Sequence, residues 1–190
     1  MRLKLFQETA CYKKPFAFKV AETYPLPPYS TVIGMFHKIL QAKSGEYFPM
    51  NISIQGEFES IFSNYQNLRM YKGKDEVIDK IYNNIINGEE TFTLGRNEDL
   101  VRIDEVKIIN QVSKIDTEII IKHNAYVPTY LKPESGISYR LNTKYTIVNE
   151  LRRWEKVNVK YVENNNFYIE NGYLDGDGEV ILWCYEDEVN

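Results

Sequence analysis

Residues 23–37 read TYPLPPYSTVIGMFH, and the rest of the chain is best read outward from them. Proline fixes φ and lacks an amide hydrogen, so Pro25, Pro27 and Pro28 predict a stiff, extended connector that cannot serve as a central strand. Ser30 or Thr31 is expected to cap a helix that follows, with Val32, Ile33, Phe36, Ile39 and Leu40 on one apolar face. Gly34 falls on the opposite face, in the first turn, where the missing side chain would admit a phosphate or another backbone. Gly45, after Lys43 and Ser44, is the expected stop. The plainer reading of the same residues is an ordinary capped core helix.

The chain has 190 residues, 43% of them hydrophobic, enough for one sizeable core. It has no apolar run long enough to cross a bilayer, and its first residues alternate instead of forming a signal-peptide core, so a cytoplasmic protein is expected. Cys11 and Cys184 lack metal-type spacing and are expected to be buried or partly buried thiols. The net charge of −4 is unevenly spread. Residues 1–50 carry seven Lys or Arg against three Glu, residues 51–162 sixteen of each sign, and residues 163–190 eight acids with no Lys or Arg. That layout predicts a cationic face able to meet RNA, with an acidic end left to solvent or to a basic protein surface. It disfavours strong independent binding to bulk nucleic acid, which requires many neutralised phosphates.

Residues 2–6 alternate, Leu3 and Leu5 against Arg2 and Lys4, as a half-buried first strand does. Lys13 and Lys14 precede Pro15 and the segment FAFKV at 16–20, a mixture of cations and aromatics that can grip a nucleotide but also suits a core. Residues 51–62 keep a period of two, with Gly56 where a bulge would fit. Residues 64–73, carrying Tyr65, Arg69, Tyr71 and Lys72, are expected to project. Asp75 opens a helix with Val77, Ile78, Ile81, Tyr82 and Ile85 near one face, ended by Asn87 and Gly88. GRNED at 95–99 is a turn in which Gly95 lets the backbone come close and Arg96 is free to hold a phosphate. Strands follow at 106–112 and 117–121 around a hairpin at 113–116, and two more lie within 137–148 with a break at Asn142 and Thr143. Residues 149–154 are too short to classify. Val157, Val159 and Tyr161 alternate again, and turns at 164–166, 171–172 and 175–178 precede a strand at 180–185.

Catalytic options are few. His37 flanks the apolar helix face and reads as packing. Lys122 and His123 offer a proton-transfer group beside a cation, a pattern that suits metal-independent ribonucleolysis, yet adjacent strand residues point to opposite faces. The acidic turn at 175–179 lacks the remaining ligands of a calcium loop, and neither a phosphate-binding Gly-Lys-Ser/Thr loop nor a zinc cluster is found, so no metal or cofactor is expected.

The TYPLPPYSTVIGM run, its place some twenty residues from the start, and Gly95-Arg96-Asn97-Glu98-Asp99-Leu100 resemble CRISPR-associated protein family five. This is the RAMP-type subunit that caps the 5′ handle of the guide RNA in type I Cascade complexes. The chain is similar to the short type I-B members. The resemblance implies an α+β fold with a ferredoxin-like, RNA-recognition-type core and an antiparallel sheet. It implies one domain over residues 1–150 with a protruding thumb at about 60–100, and a small β extension with C-terminal hairpins at 151–190. It further implies a non-catalytic antiviral-defence subunit that binds guide RNA and contacts the Cascade backbone and large subunits, with no membrane or small-molecule partner. Under that reading the RNA-binding residues are Lys13, Lys14, Tyr24, Pro28, Ser30, Thr31, Gly34, Arg69, Lys72, Gly95, Arg96 and Asn97. Members in type I-C systems cut the precursor guide RNA, which makes an endoribonuclease using Lys122 and His123 the alternative.

Overall fold

A computed structural model describes residues 1–15, 22–59, 63–71, 75–88, 91–163, 167–169 and 172–182. Its elements are β1 (Arg2–Gln7), α1 (Tyr29–Ile39), β2 (Asn51–Glu59), β3 (Ser63–Tyr71), α2 (Asp75–Asn87), β4 (Phe92–Thr93) and β5 (Leu100–Lys107). They continue as β6 (Val112–Ile115), β7 (Ile119–Ile121), β8 (Asn124–Pro128), β9 (Ile137–Val148), β10 (Leu151–Val162), β11 (Phe167–Ile169), β12 (Gly172–Asp175) and β13 (Val180–Ile181).

With α1 and α2 in the connections, the antiparallel order β5-β1-β3-β2 is the split βαβ arrangement of a ferredoxin-like core, as the α+β expectation required. β4 lengthens one side, and β8, β10 and β9 lengthen the other into an eight-stranded sheet. α1 touches both β4 and β9, the two ends of that order, so the sheet curls around the helix. Leu3, Leu5, Ile52 and Ile54 turn inward onto Val32, Ile33, Phe36, Ile39 and Leu40, as their periodicities predict. On the other face of β2, Ser53 Oγ accepts the Leu182 N–H at 3.0 Å and Gln55 Nε2 donates to the Val180 carbonyl at 2.6 Å. These bonds seat a second apolar cluster that includes Ile121, Val127, Val162 and Leu182. Arg2 fastens the β12–β13 turn, lying 2.9 Å from Asp177 and 3.6 Å from buried Asp175. No helix among the described residues is long and apolar enough to cross a membrane.

Local competition corrects several expectations. Neither Ser30 nor Thr31 caps α1: Pro28 is the N-cap, with φ −62° and ψ 152°, and its carbonyl accepts the Thr31 N–H at 2.9 Å. Proline presets this geometry, so the helix starts at Tyr29 and Gly34 falls in its second turn. Gly45 is not the stop. Gln41 takes φ 53°, and Ala42 N–H to His37 and Gln41 N–H to Lys38, each 2.9 Å, close the helix in a Schellman pattern. Gly56 forms no bulge, because β2 and β3 pair without a register shift from Asn51 with Tyr71 to Glu59 with Ser63. Residues 64–71 do not project: they form β3, held between β1 and β2, where ladder bonding on both sides outweighs the polar side chains. Within the 60–100 stretch, β3 and β4 join the main sheet and α2 lies in the connection between them. Residues 113–116 are not a hairpin either, since β6 pairs with β12 and β7 with β11.

β9 runs unbroken through Asn142 and Thr143, and the break signal there appears as a register shift against β10 between Trp154 and Lys156. Asn149 and Glu150, with φ of 50° and 63°, turn β9 back into β10, and β10 joins the main sheet through β8. The boundary expected after residue 150 thus falls inside a hairpin of the main sheet. The 16–20 segment, Lys72, the 164–166 turn, Asn171, Cys184 and the end of the strand expected at 180–185 lie outside the described residues.

Candidate nucleic-acid interface

The proline connector is anchored from below. Tyr126, fully buried on β8, donates its hydroxyl to the Leu26 carbonyl at 2.6 Å and accepts the Leu26 N–H at 3.3 Å. Burial raises the Tyr126 phenol far above its usual range, so the hydroxyl stays a donor. With Leu26, Pro27 and Pro28 buried, the chain is delivered into α1 with Ser30 and Thr31 half-exposed, and their hydroxyls make no hydrogen bond among the described residues. Ser30, Gly34 and Lys38 follow at four-residue spacing, one above the other on the helix surface. A Cβ added at Gly34 would meet nothing within 4 Å, so nothing among the described residues calls for glycine there. Lys38, exposed on this stripe, escaped the sequence reading because it stands alone among the apolar residues of the helix with no cation beside it.

A second group of residues lies across the connector. Tyr12 N–H donates to Thr23 Oγ1 at 2.9 Å and Tyr24 N–H to the Tyr12 carbonyl at 2.8 Å, while Lys13 bridges to Thr23. Lys13 is exposed. Lys14 lies 3.4 Å from Glu22 and stands 6.0 Å and 5.6 Å from the ring centroids of Tyr24 and Tyr139. Those two rings meet edge to face at 5.5 Å. Burial raises the Tyr24 phenol, against the opposing pull of Lys14, so the ring presents a neutral hydroxyl. Tyr139 comes from β9, more than a hundred residues away in sequence, and no local pattern could have paired it with Tyr24.

The 95–99 loop closes onto the same region. Tyr12 donates its hydroxyl to Gln7 Oε1 at 2.5 Å, and Gln7 Nε2 donates to the Leu94 carbonyl at 2.8 Å. Asp99, fully buried, accepts the Cys11 N–H at 3.0 Å and the Arg96 N–H at 2.9 Å, and its other oxygen holds Arg96 Nη2 at 2.7 Å. Burial works against this carboxylate, but the bonds from the Arg96 side chain and the two amides hold it below the usual carboxylate range. Arg96 is therefore not free, as the sequence suggested: Asp99 takes one edge and Glu98 lies 3.3 Å from Nη1. Gly95 has φ 109°, and a Cβ there would sit 2.9 Å from Asp99 Oδ2 and 3.2 Å from the Cys11 carbonyl, so glycine serves the loop's own closure. Asn97 is exposed at the tip.

The fold thus brings Lys13, Lys14 and Tyr24 together around Tyr12 and Thr23, with the loop that carries Gly95, Arg96 and Asn97 closed onto Cys11 and Tyr12 through Gly95 and Asp99. It does not bring Arg69 there. Arg69 is opposite Arg2, whereas Gln7, beside the loop, is opposite Asn64, about 17 Å away along β3. Lys122 and His123 are also separate. His123 Nδ1 lies 2.9 Å from Glu57 Oε1, and the register of Phe6, Tyr65 and Glu57 puts that contact on the sheet face away from Leu5 and α1. Lys122 is exposed beside it. His37 packs between Tyr47 and Phe48, its Nδ1–H on the Ile33 carbonyl at 2.8 Å and its Nε2 accepting the Phe48 N–H at 2.9 Å, in line with a packing role. Cys11 is half-buried and free.

Residues 1–77, which carry the connector, α1, β1 to β3 and the Lys13–Tyr24 cluster, match the family model described as CRISPR-associated protein (Cas_Cas5). No curated protein matches the chain.

Proposed function

We propose that this chain, whose residues 1–77 match the CRISPR-associated Cas5 family model, is a non-catalytic subunit holding the 5′ handle of the guide RNA in a type I Cascade surveillance complex. The observation that carries this reading is the cluster around the connector: two lysines and two tyrosine rings beside a helix whose exposed stripe has a hydroxyl, a glycine and a lysine. Single-stranded RNA is held by this chemistry. Splayed bases stack on aromatic rings, cations meet phosphates, and a side-chain-free helix surface lets the backbone approach. Arg96, ion-paired but half-exposed, keeps an outward edge for a phosphate. The protein would act in the cytoplasm beside the Cascade backbone and large subunits, in a complex of the type I-B kind.

The Glu57–His123 contact supports a second reading, an endoribonuclease that processes precursor guide RNA. A carboxylate on Nδ1 orients the imidazole and leaves Nε2 to exchange a proton with a ribose hydroxyl or a leaving oxygen, with Lys122 as the nearby cation. One assay separates the two. Repeat RNA incubated with the purified protein in EDTA stays intact and bound under the first reading, and is cut in a His123-dependent manner under the second.

A further inference from the structure

β10 pairs with β8 only through Val159–Val162, so its preceding eight residues, 151–158, have β9 as their strand partner and carry the β9–β10 hairpin about 27 Å beyond the rest of the sheet. One side of this overhang leans on the loop after α1, where Tyr145 meets Tyr47 at 5.6 Å. Like residues 1–50, the hairpin is cationic. Residues 137–162 hold six Lys or Arg against two Glu, a local excess of +4 in a chain of −4. The arginines divide the same way. Arg2, Arg96 and Arg102 each face a carboxylate, whereas Arg140, Arg152 and Arg153, all on the hairpin, have no carboxylate partner among the described residues. Arg152 stacks 4.8 Å above the Tyr145 ring, which in turn meets Trp154 at 5.1 Å, and Leu151 at the tip is 71% exposed. A guanidinium stacked on a ring keeps its N–H edge outward, the geometry that takes a phosphate.

We propose that the β9–β10 hairpin is a second RNA-contacting surface, which takes the single-stranded guide just beyond the segment held around Tyr24. The inference rests on the RNA-binding reading above and extends it. The path is continuous, because Tyr139, which meets Tyr24 and Lys14, lies on β9 about 30 Å from the hairpin tip. Unpaired arginines supply phosphate contacts, and the Tyr145 and Trp154 rings, on the same face as Arg152, supply sequence-tolerant contact with bases.

The test uses the whole protein and two labelled single-stranded RNAs beginning with the repeat-derived handle, one of about eight nucleotides and one of about thirty, in a salt titration. Arg152→Ala with Arg153→Ala should weaken the long RNA about tenfold and reduce its salt slope by about 1.4, two phosphates' worth for a single strand. Binding of the short RNA and the thermal midpoint should not change, and the Lys versions of both positions should restore part of the slope. Unchanged binding of the long RNA, equal loss on both RNAs, or loss only of assembly with a protein subunit overturns the hairpin proposal while leaving the RNA-binding reading in place. A wild-type protein that binds neither RNA overturns both.

Discussion

Arg96 Nη2 lies 2.7 Å from Asp99 Oδ1, and the other oxygen of that buried carboxylate accepts the amides of Cys11 and Arg96. One side chain therefore ties the 95–99 loop both to itself and to the strand exit that leads into the lysine and tyrosine cluster. Asp99→Ala should cost about 2–3 kcal/mol, because it leaves two backbone donors without their charged acceptor. The carboxyl is held below its usual range in the fold, so this contribution is complete above the unfolded pKa and is lost as pH falls through the lower folded value. Denaturant unfolding should show wild-type stability dropping below about pH 4, with a shallower drop in Asp99→Asn.

Two glycines should respond in opposite ways. Gly95→Ala meets Asp99 and the Cys11 carbonyl at a positive φ and should destabilise the fold by about 1–3 kcal/mol. Gly34→Ala has open space around it and should stabilise α1 by about 0.5–1 kcal/mol. If RNA lies against the helix surface, that more stable variant should also bind the handle RNA more weakly. Thermal melting and fluorescence anisotropy on the same preparations read the two effects separately.

Removing one hydroxyl should loosen the connector without touching RNA. Tyr126→Phe deprives the Leu26 amide and carbonyl of their buried partner, at a cost of about 1–3 kcal/mol. Hydrogen exchange should quicken at Leu26 in the variant, and handle binding should fall because residues 25–28 no longer fix the start of α1.

The sequence was most informative where periodicity and proline act locally. The inward faces of β1 and α1 follow from their spacing alone, because side-chain direction is set by the pleat and the helical turn. Misreadings arose where partners came from far along the chain. Residues 64–71 look like a polar projection until β1 and β2 flank them, and residues 113–116 look like a turn until β12 arrives to pair with β6. The cap failed for a smaller reason: Pro28 already holds the backbone in the N-cap conformation, so the hydroxyls of Ser30 and Thr31 are not needed there. Of the candidate site, Lys13 and Lys14 were legible as cations beside a run of aromatics, and Tyr24 only through the family resemblance. Tyr139 and the ion pairing of Arg96 were not, since each depends on tertiary contact or on the shape of a loop.

The central claim is that this chain holds guide RNA and does not cut it. Its most direct test is to incubate the purified protein with end-labelled repeat RNA in EDTA and follow binding and strand length in the same sample. The account predicts a retained, full-length RNA whose affinity falls with Gly34→Ala and with Lys13→Ala plus Lys14→Ala, and is indifferent to His123→Ala. A shortened product that disappears in His123→Ala would contradict it.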